Sequence, residues 1–394
     1  MTDRQPRKIA ILGSTGSVGQ QALEVIDKYP EQFRASVLTA QSNAGLLVEQ
    51  ALKHRPEAVV IANTDLYAQV KKSLESLPVK VYAGREAIND FTGLARTDAV
   101  ITAMTGISGL VPTLNAINER KRILLANKES LVVAGEIIMA AAKRNDVCIL
   151  PVDSEHSAIQ QCLAGEDPQT IEKVFLTASG GPFRGMSHGD LMHVTRKEAL
   201  QHPNWNMGDK ITIDSATMMN KGLEMIEAKW LFDLYPDQIE VVLHPQSIIH
   251  SMVQFHDGSI KAQLGMPDMK HPIQYALNYP QRVPCDLPRM NVDQMVEISL
   301  ERVKTGDYQC LDIATEAMRE GGSMPCIMNA ANEAAVNAFL GNEIPFLAIP
   351  VIIRESMQKM NAFVANDLEE TLHLDREVKI IAKEIIKTFS SESR

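Results

Sequence analysis

The sequence predicts an α/β protein in three parts: a doubly wound domain, an α+β domain and an all-helical domain. Three observations support this division. Apolar runs of strand length alternate with amphipathic helical stretches over 1–150, short strands mix with helices over 151–283, and helical periodicity dominates 306–394. The stretch 284–305 is rich in proline and polar residues and predicts a linker. The length of the chain also favours more than one domain.

Strands and helices alternate regularly in the first domain. The predicted strands are KIAILG, RASVLTA, AVVIA, VKVYAG, AVITAM, RILLA and VCILPV, and a helical pattern such as SVGQQALEVIDKY lies between successive strands. Apolar strands of this kind are usually buried on both faces of a sheet. The pattern therefore predicts a parallel, Rossmann-like sheet that is covered by helices on each side.

The second and third domains have different patterns. The strands KVFLTAS, EVVLHPQ and SIIHSMVQF are followed by HDGS and by a further alternating run, which predicts a β-hairpin. From CLDIATEAMREGG to REVKIIAKEIIKTF the pattern is helical.

Composition excludes several classes of protein. The 394 residues are 45% hydrophobic with a formal net charge of −10, and no run of lysine or arginine interrupts this acidic balance. A nucleic-acid or anionic-membrane partner is therefore not expected. No apolar run has the length of a membrane span, and the five cysteines form no CxxC pair. We expect a cytoplasmic protein.

A glycine-rich turn joins the first predicted strand to the first helix. Gly13, Gly16 and Gly19 follow a GxxGxxG spacing. Glycines allow a tight turn there, and the helix N-terminus offers backbone amides to a diphosphate. Packing of the helix on the strand would also explain such glycines. Their position in a doubly wound domain favours a dinucleotide site.

The end of the second predicted strand bears on the choice of dinucleotide. An NAD site usually has a carboxylate there to bind the ribose hydroxyls. This sequence has Gln41, Ser42 and Asn43 instead. Hydroxyl and amide groups can donate hydrogen bonds to a 2′-phosphate, whereas a carboxylate would repel it. The sequence therefore favours NADPH.

Two acids follow the last predicted strand of the first domain. On an extended chain, the spacing of Asp153 and Glu155 would place both carboxylates on the same side. Neighbouring carboxylates repel one another unless they share a proton or a cation, and their hard oxygens suit magnesium or manganese. The alternative is a solvated turn in which Asp153 caps a helix from Ser157.

A polar block near residue 220 predicts an anion site. Ser215, Asn220 and Lys221 bring a hydroxyl, an amide and a cation together just before a predicted helix. Glu224, expected in the first turn of that helix, could supply a third carboxylate to a metal. The alternative is that Glu224 only complements the helix dipole.

Motifs between residues 13 and 336 resemble those of the 1-deoxy-D-xylulose 5-phosphate reductoisomerase family. They are GSTGSVG, LLANKESLV, PVDSEHSAI, TASGGPFR, HPNWNMG, DSATMMNKGLE, HPQSIIHSM and NAANEAAV, in this order. The resemblance implies a metal-dependent rearrangement of 1-deoxy-D-xylulose 5-phosphate, through retro-aldol cleavage and re-addition, and its reduction by NADPH to 2-C-methyl-D-erythritol 4-phosphate. It also implies that the central α+β domain is catalytic and that the protein is a homodimer.

The resemblance also implies roles for individual residues of this sequence. The catalytic group would be Lys128, Asp153, Glu155 and Glu224, of which the three acids would hold Mg²⁺, Mn²⁺ or Co²⁺. Substrate would contact Lys128, Ser154, Glu155, Ser179, His202, Ser215, Asn220, Lys221 and Glu224. NADPH would contact Thr15, Gly16, Ser17, Val18, Asn43, Asn127, Glu129 and Gly208. Trp205 and Met207 would belong to a mobile lid. Related sequences often have Gly-Lys-Asn where this one has Gln41-Ser42-Asn43, which leaves the 2′-phosphate contact open.

Two other classes of function are considered. A semialdehyde dehydrogenase also has a GxxGxxG loop but needs a nucleophilic cysteine and no metal. A nucleotide-sensing module would bind NADPH without turnover.

The remaining polar candidates have simpler interpretations. For His244, His250 and His256 we expect structural hydrogen bonds, and we expect Cys148 and Cys162 to be small buried residues. The helical face that carries Asn329, Asn332 and Glu333 is expected at the mouth of the site or at a subunit contact.

Overall fold

The computed structural model describes residues 5–203, 205, 207–291, 297–365 and 367–392. By contacts between these residues the chain divides into two compact units. The first unit consists of the described residues within Met1–Ser130, Ile138–Ser157 and Asp268–Leu287. The second consists of those within Leu131–Ile137, Ala158–Pro267 and Pro288–Arg394.

The first unit contains a seven-stranded parallel sheet. Its strands are β1 (Arg7–Leu12), β2 (Phe33–Ala40), β3 (Ala58–Ile61), β4 (Lys80–Ala83), β5 (Ala99–Thr102), β6 (Arg122–Leu125) and β7 (Ile149–Pro151). The strand order is β4-β3-β2-β1-β5-β6-β7. In the centre of the sheet, Ile11 pairs with Leu38 on one side and with Ile101 on the other. The order reverses between β1 and β5, and ligands of such sheets bind at the carboxyl ends of the strands beside that point.

The second unit contains a five-stranded mixed sheet. Its strands are β8 (Ile171–Ala178), β9 (Ile239–Leu243), β10 (Ile249–Phe255), β11 (Ile260–Leu264) and β12 (Glu301–Arg302), in the order β11-β10-β8-β9-β12. Strands β8 and β9 are parallel and the other pairs are antiparallel. The predicted hairpin is the β10–β11 pair. In its turn the Asp257 carboxylate accepts hydrogen bonds from the backbone and hydroxyl of Ser259.

The α-helices are distributed along the whole chain. In the first half they are α1 (Ser17–Lys28), α2 (Ala44–His54), α3 (Tyr67–Ser73), α4 (Arg85–Asn89), α5 (Leu110–Asn118), α6 (Glu129–Asn145), α7 (Ser154–Cys162) and α8 (His188–Leu191). In the second half they are α9 (Arg196–Ala199), α10 (Asp209–Ala216), α11 (Met219–Leu231), α12 (Lys270–Asn278), α13 (Gln309–Glu320), α14 (Met324–Leu340), α15 (Ala348–Gln358) and α16 (Leu368–Glu392). Short 3-10 helices lie at Thr64–Leu66, Phe91–Gly93, Gly106–Gly109, Pro168–Thr170 and Pro236–Gln238.

Helix α12 packs in the first unit although it is distant from that unit in the sequence. Ile273 and Leu277 belong to the same buried core as Ile9 and Ile11 of β1. The Arg7 guanidinium donates a hydrogen bond to the Leu277 carbonyl over 2.8 Å. The fold class predicted from the sequence is confirmed, with its Rossmann-like, α+β and helical parts. The domain boundaries at residues 150, 283 and 305 stay a prediction.

The C-terminal helices are amphipathic and bury their apolar faces. Val336 of α14, Ile352 of α15 and Val378 of α16 are fully buried. Phe339 and Phe346 meet edge to face, with ring centroids 5.6 Å apart. Over the described residues, every helix is too short or too polar to span a lipid bilayer.

Glycine is required where β1 turns into α1. Gly13 has φ +88°, and a Cβ atom there would lie 2.5 Å from the carbonyl oxygen of Ala103. A Cβ at Gly19 would lie 2.3 Å from the carbonyl oxygen of Gly13. The turn is also held by Ser14, whose hydroxyl donates to Gln50 over 2.7 Å. These contacts hold the start of α1 against the carboxyl end of β1.

We expect Gly19→Ala to destabilise the first unit, because the new methyl group would clash with backbone atoms. Backbone atoms cannot relieve a clash by a change of side-chain rotamer. The expected loss in the free energy of unfolding is about 1–3 kcal/mol. Gly45→Ala is the matched control, because a Cβ at this position in α2 meets nothing within 4 Å. It should raise stability by up to about 1 kcal/mol. Urea unfolding followed by circular dichroism measures both, and equal stabilities for the two variants would contradict the packing argument.

Candidate active site

The acidic segment after β7 begins a helix. Helix α7 starts at Ser154, and the Asp153 carbonyl accepts the first helical hydrogen bond from the Ser157 amide over 2.9 Å. The predictions of an extended chain and of a helix from Ser157 are therefore wrong. Asp and Ser favour helix starts, which explains why the chain turns here. Glu155 lies in the first turn of α7.

A lysine lies beside the two acids. The Lys128 ammonium is 3.0 Å from an oxygen of Asp153, and the lysine is buried. Carboxylate oxygens of Asp153 and Glu155 come within 4.8 Å of each other. The Ser154 hydroxyl donates to Glu155 over 2.5 Å, and the fully buried His156 has its Nδ1 3.9 Å from Asp153. Clustered carboxylates of this kind suit a hard divalent cation.

Asn127 fixes the chain next to Lys128. Its side-chain nitrogen donates to the carbonyls of Met104 and Gly106 and to the Glu129 carboxylate, each over 2.9 Å. Its side-chain oxygen accepts from the Ser130 amide over 3.2 Å. The amide of Asn127 therefore joins the loop after β5 to the start of α6. The sequence did not reveal this role, since the partners are loop carbonyls.

The glycine turn places a helix N-terminus at the carboxyl end of β1. Gly16 is the N-cap residue of α1, and among the described residues no side chain caps this helix. Its first turn, from Ser17 and Val18 onward, contains no acid. Thr15 precedes it in the turn. Such an N-terminus, with the positive end of the helix dipole, suits a diphosphate.

The end of β2 carries no carboxylate. Gln41, Ser42 and Asn43 are exposed. The Asn43 oxygen accepts from the Leu46 amide over 3.2 Å and so caps α2. The contact of these residues with a 2′-phosphate stays a prediction.

In the second unit, Ser179 and His202 lie together beyond the end of β8. The Ser179 hydroxyl is 3.3 Å from His202 Nε2, and it accepts from the Gly181 amide. His202 Nδ1 accepts from the Trp205 amide over 3.1 Å. A neutral imidazole that accepts at Nδ1 carries its proton on Nε2, which therefore faces Ser179. Burial lowers the pKa of His202, which favours this neutral form.

The predicted anion site is divided between two helices. Ser215 lies inside α10, and Met218, with φ +62°, separates α10 from α11. Asn220 and Lys221 are in the first turn of α11, whereas the prediction put them just before the helix. Glu224 lies one turn further on, so its predicted place in the first turn is wrong. It is buried, pairs with the Lys221 ammonium, and accepts from the Asn220 amide over 2.5 Å.

Gly208 and Met207 lead into α10. Gly208 is the N-cap residue, and its carbonyl accepts from the Thr212 hydroxyl over 2.9 Å. A Cβ at Gly208 would meet nothing within 4 Å, so this position offers room beside the backbone. The lid role of Trp205 and Met207 stays a prediction.

The remaining candidates are mostly structural. His244 Nε2 accepts from the amides of Ile248 and Ile249, and its Nδ1 lies 2.8 Å from the Ser299 carbonyl, as the structural interpretation predicts. Cys162 is buried, whereas Cys148 is exposed just before β7, so the prediction for Cys148 is wrong. Burial raises the pKa of Cys162 to about 11.

The doubly wound sheet, the open start of α1 and the acids beside Lys128 define a dinucleotide-dependent oxidoreductase. The chain belongs to the 1-deoxy-D-xylulose 5-phosphate reductoisomerase family. The family model of this description matches residues 9–135, and models of its C-terminal domains match 149–232 and 264–381.

Relatives from the same family match the chain over nearly its whole length. The 1-deoxy-D-xylulose 5-phosphate reductoisomerase of Bacteroides thetaiotaomicron is 54% identical over 96% of this chain and 97% of its own. That of Chloroherpeton thalassium is 50% identical over 95% of this chain and 96% of its own.

Solved structures of the same family share the fold. The Zymomonas mobilis reductoisomerase in complex with NADPH is 39% identical, with a TM-score of 0.91 over 97% of this chain and 99% of that one. A DOX-P reductoisomerase in complex with NADPH, fosmidomycin and magnesium is 40% identical, with a TM-score of 0.91 over 97% and 98% of the two chains.

We expect the lowered pKa of His202 to make stability depend on pH. Below 6.5, the ordinary pKa of histidine, the unfolded chain binds this proton more readily than the folded chain. The contribution of neutral His202 is therefore present above that pH and is lost as pH falls toward the lowered pKa. Asn in place of His202 keeps an acceptor near the Nδ1 position but does not titrate.

The free energy of unfolding of the wild type, relative to His202→Asn, should decrease from about pH 7.5 to about pH 5.5. Urea unfolding across this range measures the difference, and an NMR titration of the His202 ring gives its pKa directly. A difference that does not change with pH would refute the assignment of a neutral, half-buried ring.

Proposed function

We propose that this chain converts 1-deoxy-D-xylulose 5-phosphate to 2-C-methyl-D-erythritol 4-phosphate in isoprenoid synthesis, by rearrangement and NADPH-dependent reduction. One observation carries the proposal. The chain has a helix N-terminus at the carboxyl end of β1 that no described side chain caps, and it also has Asp153 and Glu155 beside the buried Lys128. Family membership over nearly the full length supports the same reaction.

The first unit fits NADPH at the turn after β1. The proposed diphosphate contacts are Thr15, Gly16, Ser17 and Val18. No acid lies in the first turn of α1 to repel the diphosphate, and the absence of a side chain at Gly16 would let the diphosphate approach the backbone. Further proposed contacts are Asn43, Asn127, Glu129 and Gly208. When bound, NADPH supplies the hydride for the reduction.

The acids fit a divalent cation. Asp153, Glu155 and Glu224 are its proposed ligands, because carboxylate oxygens are the donors that Mg²⁺, Mn²⁺ and Co²⁺ can all use. When bound, the ion supplies Lewis-acid stabilisation of negative charge on the substrate oxygens. Asp153 also keeps the Lys128 ammonium in place through the 3.0 Å ion pair.

The substrate would be oriented from both of its ends. Lys128 and Ser154 are proposed to donate hydrogen bonds to its hydroxyl and carbonyl oxygens. The phosphate would be bound by Ser179, His202, Ser215, Asn220 and Lys221, since the His202 Nε2 proton and the Lys221 ammonium are suitable donors. Trp205 and Met207 are proposed to cover the substrate and exclude water from its reactive form.

We also propose that the protein is a homodimer that uses the edge strand β11. Within the described residues this strand pairs with β10 on one side and with no strand on the other. Ile260, Leu264 and the nearby Met266 are exposed. The edge of an apolar strand is usually buried by another strand or helix, and a second copy of the chain would bury this one.

Glu155→Gln should reduce turnover of 1-deoxy-D-xylulose 5-phosphate by more than about 100-fold, because it removes a proposed metal ligand. The measurement is oxidation of NADPH at 340 nm with this substrate and added magnesium. Chelation of the metal should abolish turnover by the wild type, and magnesium should restore it. Glu119→Gln, an exposed acid at the end of α5, is the control and should keep full activity. Near-normal activity of Glu155→Gln would exclude Glu155 as a metal ligand.

The alternative functions give different results in the same assay. A semialdehyde dehydrogenase would survive chelation and lose activity on thiol alkylation. Burial raises the pKa of both Cys310 and Cys326 to about 12, which makes them poor nucleophiles. A nucleotide-sensing module would bind NADPH without oxidising it.

The five free cysteines and the acidic net charge support the further proposal of a cytoplasmic enzyme without a nucleic-acid partner.

Ile260→Lys should shift the protein from dimer to monomer, because a charge at the edge of β11 opposes pairing with a second strand. Light scattering coupled to size exclusion measures the mass in solution. Ile380→Lys on α16 is the matched control, since Ile380 is 60% exposed and Ile260 53%. A dimer that persists in Ile260→Lys, or that dissociates in both variants, would argue against β11 as the interface.

A further inference from the structure

A buried carboxylate lies next to the proposed phosphate ligand Ser215. Asp214 of α10 is only 1% exposed. One of its oxygens is 3.0 Å from the ammonium of Lys210, one turn earlier in the same helix. The other accepts from the side-chain amide of Asn332 over 2.8 Å. Asn332 lies on α14, 118 residues away along the chain, and is fully buried.

This arrangement fixes the orientation of α10. An ionised carboxylate can only accept hydrogen bonds, so Asn332 must present its NH₂ group to Asp214. A buried charge that loses one partner is costly, so α10 is held at the rotation that keeps both contacts. Lys210 belongs to α10 itself, so of these two partners of Asp214 it is Asn332 that ties α10 to α14.

The same turn of α10 leaves little freedom to Ser215. Gly181, with φ +69°, packs on it so closely that a Cβ there would lie 2.6 Å from the Ser215 carbonyl oxygen. The Gly181 amide in turn donates to the Ser179 hydroxyl. A rotation of α10 would therefore move Ser215 and disturb Ser179, and both are proposed phosphate ligands.

We propose that Asn332 is a positioning residue for phosphate recognition: through Asp214 it holds α10 so that Ser215 meets the substrate phosphate. This inference rests on the proposed function, because it takes Ser215 as a phosphate ligand. The sequence placed the face with Asn329, Asn332 and Glu333 at the mouth of the site or at a subunit contact. Both asparagines are fully buried, so neither faces solvent or a second subunit.

The helix itself supplies a matched control. Asn329 is fully buried on α14, as Asn332 is, but its amide donates to Glu333 on the same helix over 3.3 Å. Asn332→Leu and Asn329→Leu each remove one buried amide and keep the number and branching of side-chain heavy atoms. The first removes the hydrogen bond to Asp214 of α10, and the second removes one within α14.

The test compares 1-deoxy-D-xylulose 5-phosphate with its phosphate-free analogue 1-deoxy-D-xylulose. Asn332→Leu should lower kcat/KM for the phosphorylated substrate by about tenfold, mainly by raising KM. The kcat/KM for the analogue should stay unchanged. Asn329→Leu should change neither. A merely structural role for Asn332 would lower both values together, in step with the melting temperature, and would overturn the proposal.

Two further measurements keep the test decisive. The exchange D214N/N332D, which places the amide donor on α10, should recover the phosphate preference that N332D alone loses. Failure of recovery, with the exchange variant folded, would count against the proposal.

Calorimetric binding of inorganic phosphate needs no turnover and should weaken about tenfold in Asn332→Leu. If the wild type did not turn over the sugar phosphate, the proposed function would fail, while equal phosphate binding by wild type and Asn332→Leu would refute the positioning role.

Discussion

Burial of charge is costly without a compensating partner, and this constraint shapes the structure around the proposed site. Lys128 is buried against Asp153 in the first unit, and Lys221 is buried against Glu224 in the second. Each pair fixes a side chain that is proposed to contact substrate or metal. These ion pairs hold polar groups in defined positions before a ligand arrives, so less ordering is needed when it binds.

Close backbone packing is the second constraint. At the turn after β1, Gly13 and Gly19 approach neighbouring carbonyls more closely than any Cβ could allow. Gly181 approaches Ser215 in the same way. In each place the absence of a side chain allows close backbone packing beside residues that are proposed to bind phosphate groups. The glycines would thus serve the proposed anion recognition through packing as well as through turn geometry.

Much of the fold could be predicted because its signals are local. Alternating apolar strands and amphipathic helices indicated the doubly wound sheet, and the HDGS turn indicated the hairpin of β10 and β11. The failures concern local boundaries and exposure. Helix α7 starts at Ser154, Ser215 lies within α10, and Cys148 is exposed. At Ser154 and Ser215 short polar segments fit both a turn and a helix, and the sequence pattern does not separate the two.

The sequence by itself determined the types of elements, the glycine turn, the residues able to serve as ligands and the family. These follow from periodicity, residue chemistry and motif order, all of which are read along the chain. Only the tertiary structure decided that α12 packs in the first unit, that His202 Nδ1 accepts from the Trp205 amide, and that Asn332 donates to Asp214. The reason is physical: contacts between residues distant along the chain, and the direction of a hydrogen bond, depend on how elements pack and leave no periodic signal in the sequence.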